Sequence, residues 1–165
     1  MNAIDGQRLT SEKVDSDRVS EVRSKVFSWN MDRLVKYLIK KGLDEDYVKA
    51  AVDEYRRFLA VCASFPNSQH AVSPKIDEVW HCHILFTRDY EALAVSLGTK
   101  VHHNPFVDDA DWENHASRYE QFRDRYKLIF GTSPSINFWP HNNSVGPCDC
   151  SNQDCHGYSV TEGLR

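Results

Sequence analysis

Apolar residues return every three or four positions from Asp17 onward: Val19, Val22, Val26 and Trp29. On a 3.6-residue helix that spacing places them on one side, which predicts a short amphipathic helix. Met31, Leu34, Val35, Leu38 and Ile39 form a second stripe, and Gly42 is its natural stop, because glycine enters the left-handed conformation without a Cβ penalty. The next segment has a full set of start signals. Asp44 can cap it, Glu45 and Asp46 suit the positive end of the helix dipole, and Leu43 can pack back on Val48. Its buried face reads Val48, Ala51, Val52, Tyr55, Phe58, Leu59 and Cys62, and "FPNSQHAVSP" breaks the pattern.

Ser73-Pro74 opens another helix, with serine as cap and proline in the first turn. The period then runs to Leu97, with Gly98 as the stop, and predicts one helix over 74–97 that is the most central of the fold. Only Glu78, Cys82, Asp89 and Ser96 leave a plainly polar edge. After the loop "TKVHHNPFV", a last helix starts near Asp108 and carries Trp112, Ala116, Tyr119, Phe122, Tyr126 and Ile129. Gly131 and Pro134 close it. No strand pair or internal repeat is evident, and short loops between helices imply a bundle. The fold expected is all-α. It is a single-domain bundle of four main helices over residues 16–140, with a flexible N-terminus (1–15) and an irregular Cys-containing C-terminal tail (141–165).

The helix 74–97 contains "WHCH", and its geometry separates the two histidines. Each residue turns about 100°. Ile76, Val79, His83, Phe86, Tyr90, Ala94 and Leu97 then share the main apolar stripe. His81 lies about 160° from His83, so the pair does not chelate one ion from a regular helix. His83 reads as a core histidine with satisfied nitrogens, and Trp80 as a core residue whose indole N–H finds an acceptor. Asp77 shares a flank with His81, one turn earlier. An aspartate there can orient the imidazole, or both groups can ligate a metal.

A further ligand is available in "HHNPF", from His102 or His103. The helix from 77 to 97 is about 30 Å long, whereas the chain from Gly98 to His103 spans at most about 18 Å. A shared site therefore requires that the helix end earlier or bend. Histidine with carboxylate suits zinc or non-haem iron. The competing reading is a polar network that fixes helix packing, since buried polar groups must be paired. In the tail, "CDCSNQDCH" offers Cys148, Cys150, Cys155 and His156. Three thiols and an imidazole could complete a tetrahedral zinc site, although the spacing is not the usual two-residue knuckle. Otherwise the segment is a tail of reactive or adventitious thiols.

Composition narrows the class of function. Among 165 residues, 41% are hydrophobic and 27% charged, with a net charge of −4, values suited to one globular domain. An acidic balance argues against a phosphate-backbone binder. "YRR" and "YEQFRDRYK" mix aromatic and basic residues, but at helical spacing among acids, as solvated and core faces do. No apolar run is long enough to span a membrane. "MNAIDGQRLTSEKVDSD" has no apolar leader, so a reducing, cytoplasmic setting is expected for the five cysteines. Neither a G-x-S-x-G elbow nor a G-x-x-x-x-G-K-[ST] loop occurs.

"SPKIDEVWHCHILFTRDYEAL", then "HHNPF", then a helix ending in "YKLIFG" before "FWP", resembles the glycine-rich domain-containing protein-like family from about Trp29 to Pro140. The chain would be a small member without the glycine-rich region, having seven glycines. The resemblance implies Asp77, Trp80, His81 and His103 as the positions to test and brings little chemistry with it. Two functions remain open. One is a small metal-binding domain, with enzymatic activity undecided. The other is a non-catalytic protein-interaction module in which Asp77 and His81 are structural.

Overall fold

The computed structural model describes residues 14–104 and 112–141. The flexible N-terminus, the start of the last helix near Asp108 and the Cys148, Cys150, Cys155 and His156 cluster were expected at positions that lie at least partly outside these residues. The described chain is all-helical. It holds six helices rather than four: α1 (Ser16–Ser28), α2 (Asp32–Lys40), α3 (Glu45–Ser64), α4 (Pro74–Ile84), α5 (Thr87–Leu97) and α6 (Trp112–Phe130). No described helix is long and apolar enough to cross a membrane.

Local chemistry sets the boundaries. Asp44 accepts the Tyr47 N–H at 2.9 Å and caps α3. Ser73, fully buried, accepts from the Ile76 N–H at 3.4 Å, with Pro74 next in the first turn of α4. Asp15 caps α1 by accepting from the Asp17 and Arg18 N–H groups at 3.1 Å. Such caps satisfy backbone donors that the first turn leaves without partners.

The hub is α3, not the 74–97 segment. It packs against α1, α2, α4 and α6. Besides the expected face, Ala60, Val61 and Ala63 are buried as well. Cys82, expected on a polar edge, is 3% exposed. One carboxylate sits inside this hub. Glu54 accepts from the Trp139 indole N–H at 3.1 Å, from the Tyr126 hydroxyl at 3.2 Å and from Arg57 at 3.2 Å. Burial and the Glu54 charge both push the Tyr126 hydroxyl up, so it remains a donor. Trp139, in the irregular segment after α6, has no exposed surface and stacks on Phe122 with centroids 4.3 Å apart. Its aperiodic sequence predicts only loop and tail.

The expected helix 74–97 is interrupted at Leu85–Phe86. Phe86 has ψ 62, far from the helical value, and starts α5. Its ring meets the Tyr37 ring edge-on at 5.6 Å, and the Arg33 guanidinium lies over it at 5.4 Å. These contacts with α2 take the place of one continuous helix. At the far end of α5, Gly98 has φ +67 and turns the chain into the segment that carries His103. The interruption supplies the bend that a shared Asp77–His103 site requires.

Candidate functional site

Asp77 lies in the first turn of α4 and is 4% exposed. Burying a carboxylate is costly unless it is paired, and two imidazoles approach it. The His103 Nε2 stands 2.8 Å from Asp77 Oδ1, and the His81 Nδ1 stands 3.5 Å from Oδ2. A carboxylate accepts, so the His103 Nε2 carries the hydrogen in this arrangement. The two imidazole rings are tilted by 47° with centroids 4.3 Å apart. One ligand atom from each of Asp77, His81 and His103 falls within 4.8 Å of the others.

Zinc places its ligands about 2.0–2.1 Å away, so ligand atoms around it stand about 3.4 Å apart. Gathering these three around an ion therefore requires side-chain movement of about 1 Å, within rotamer adjustment. His102 lines the same cavity but is exposed, and it does not belong to the three-residue group. The cavity measures about 470 Å³ and is walled by α4, the 66–72 and 99–104 segments, and α6.

A family model matches residues 18–129, which is about two thirds of the chain. The chain belongs to the UCP032817-like family. This corrects the resemblance to glycine-rich domain-containing proteins, whose motif stretches from Ser73 to Phe106 lie inside the same matched region. The UCP032817-like description carries no activity, substrate or cofactor. No curated protein and no solved structure matches the chain.

Behind the three residues is a buried support. Trp80, 5% exposed, packs edge-on against His103 at 4.5 Å and, tilted, against Phe58 at 4.9 Å. Its indole N–H donates to the Tyr90 hydroxyl at 2.9 Å. That hydroxyl donates in turn to the Val101 carbonyl, two residues before His103. Burial pushes the Tyr90 hydroxyl up to about 12, opposed by the Trp80 hydrogen bond, which keeps its proton in place. Trp80 is thus the core residue expected, and Tyr90 is a positioning group for which the sequence reading had no role beyond the apolar stripe.

His83 also matches its expected part. It is fully buried, with Nδ1 2.8 Å from the Tyr55 hydroxyl and Nε2 2.9 Å from Asp89 Oδ2. Because the Asp89 carboxylate only accepts, Nε2 bears the hydrogen and Nδ1 accepts from Tyr55. Burial lowers its pKa against the opposing pull of Asp89. It faces away from His81, as the helical wheel requires.

Three cavity residues were not singled out for the site: His70, His115 and Arg118. His70 sits in the stretch read as a helix breaker. Neither of its ring nitrogens completes a hydrogen bond among the described residues. Its pKa is lowered to about 4, by burial first and then by the Arg125 charge, against a smaller opposing effect of the Phe65 backbone. It is a neutral imidazole near pH 7. Nothing in its own sequence surroundings marks it, because its place in the wall is set by tertiary packing against Phe122.

Proposed function

We propose that the domain holds one divalent transition-metal ion between Asp77, His81 and His103. Zinc and iron suit a donor set of two imidazoles and one carboxylate. The observation that carries this reading is convergence: donors from α4 and from the segment after α5 meet within 4.8 Å on a cavity wall. Trp80 and Tyr90 hold the incoming segment in register. Three protein ligands leave coordination positions for water or a small molecule from the cavity, which is the pattern of reactive rather than purely structural sites.

The second reading, an interaction module with structural polar residues, is favoured by the 2.8 Å bond that pairs Asp77 without an ion. Elemental analysis of untagged protein separates the two. The metal reading expects close to one ion per chain, lost in both His81→Ala and His103→Ala while helicity persists. A chain that neither carries nor takes up zinc or iron(II), and that loses roughly 1–3 kcal/mol in His81→Ala, belongs to the second reading.

A further inference from the structure

We propose that the outer face of α2, together with Leu85, binds an anionic lipid surface. The inference stands apart from the metal reading and uses none of Asp77, His81 and His103. α2 and its C-cap carry Arg33, Lys36, Lys40 and Lys41 beside one carboxylate, Asp32. At about 100° per residue, Arg33, Lys36 and Lys40 lie within about 60° of one another. The buried Leu34 and Leu38 occupy the largely opposite side. All four cations are exposed, and none of them forms an ion pair among the described residues. The whole-chain charge of −4 averages this face away, but a surface is felt within about 10 Å, so the local sign decides.

Helix stability does not account for the arrangement. Lys40 and Lys41 suit the negative end of the helix dipole, whereas Arg33 stands near the positive end. Arg33 and Lys36 are three apart and Lys36 and Lys40 four apart, spacings at which like charges repel. An anionic surface relieves that repulsion. Apolar groups border the cations. Tyr37 meets Phe86 edge-on at 5.6 Å, and the Arg33 guanidinium lies over the Phe86 ring at 5.4 Å, so the α2 face is continuous with the junction of α4 and α5. Leu85, next to Phe86 in that junction, is 68% exposed. Clustered Lys and Arg on an amphipathic helix, beside an exposed apolar side chain, suit an interfacial membrane contact. The outward side of a helix is convex, and it offers neither the groove nor the sheet edge by which peptides usually dock.

The test is sedimentation of the full chain with lipid vesicles. The wild type is expected to sediment with phosphatidylcholine containing about one third phosphatidylserine, and not with phosphatidylcholine alone. Raising salt from about 0.1 M to 1 M cuts the screening length from about 10 Å to 3 Å and is expected to release it. Each Lys or Arg held near such a surface strengthens partitioning about fivefold, so Lys36→Glu with Lys40→Glu is expected to weaken it at least about thirtyfold. Lys49→Glu with Lys127→Glu makes the same change in net charge on α3 and α6 and is expected to weaken it less than about fivefold. Lys36→Gln with Lys40→Gln carries the test if circular dichroism shows that the reversed variant is unfolded. Its urea midpoint should be no lower than that of the wild type, because it removes a repulsion and not a packing contact. A chain that sediments equally with both vesicle types, or with neither, overturns the proposal. So does binding that survives high salt undiminished, that the α2 variants leave unchanged, or that the α3 and α6 pair abolishes as fully. Retention on polyglutamate or duplex DNA without vesicle binding gives the face to another acidic partner and overturns the lipid surface too.

Discussion

Tyr90→Phe isolates one hydroxyl with two partners. The phenylalanine ring keeps the edge-on packing that Tyr90 makes with His83 at 5.2 Å. What disappears is the acceptor of the Trp80 indole N–H and the donor to the Val101 carbonyl. The Trp80 side chain is buried, so its N–H is left without water or partner, at a cost of about 1–3 kcal/mol. Val101 is half-buried, and its carbonyl can recover a water, which reduces that loss to about 0.5–1 kcal/mol. The sum, about 1.5–4 kcal/mol, is read by urea unfolding followed by far-UV circular dichroism. In a chain of this size it lowers Tm by roughly 3–16 °C. Because the Val101 carbonyl precedes His103 by two residues, metal uptake should weaken in the same variant. A Tyr90→Phe protein within about 0.5 kcal/mol of wild type would refute the claim that this hydroxyl fixes the His103 segment, since neither loss would then have been felt.

Acid should destabilise the fold through His70. Its folded pKa is about 4 against 6.5 for the free side chain, so between those values the unfolded chain binds the proton and the folded chain does not. Stability from this group is full above pH 6.5 and falls as the pH drops toward 4, by up to about 3 kcal/mol; His70→Gln should flatten that part of a pH series of urea midpoints. Trp139→Ala empties the largest fully buried position and removes a donor from Glu54, so a loss of at least about 3–5 kcal/mol is expected by the same unfolding assay. A smaller loss would show that the segment after α6 is dispensable to the core.

The helices that were legible carry their own punctuation. Asp44 and Ser73 announce their segments by capping chemistry, and both cap as read. The interruption at Phe86 was hidden because the apolar period continues straight through it, with Phe86 and Tyr90 at the same spacing as the residues on either side. Its cause lies in α2, whose Tyr37 and Arg33 hold the Phe86 ring, and no local pattern encodes a partner 50 residues away. Thr87 and Asp89, residue types common at helix starts, were the one available sign. The site follows the same logic. Asp77 and His81 are one turn apart and can be paired from spacing alone. "HHNPF" offers His103 beside His102 as the further ligand, but the reach back to Asp77 needs a bend that the unbroken apolar period hides. Trp139 and His70 sit in aperiodic stretches, where burial is decided by what they meet and not by register.

Glu54 ties three parts of the chain to one carboxylate: α3 itself, α6 through Tyr126, and the stretch after α6 through Trp139. Peeling residues 134–140 away would take the indole donor from the buried Glu54, leaving it with Tyr126 and Arg57, and uncover the face of Phe122. The stretch therefore cannot fray as chain beyond a final helix ordinarily does. It opens only when the hub opens, and the Trp139 indole proton should exchange with solvent on the timescale of global unfolding.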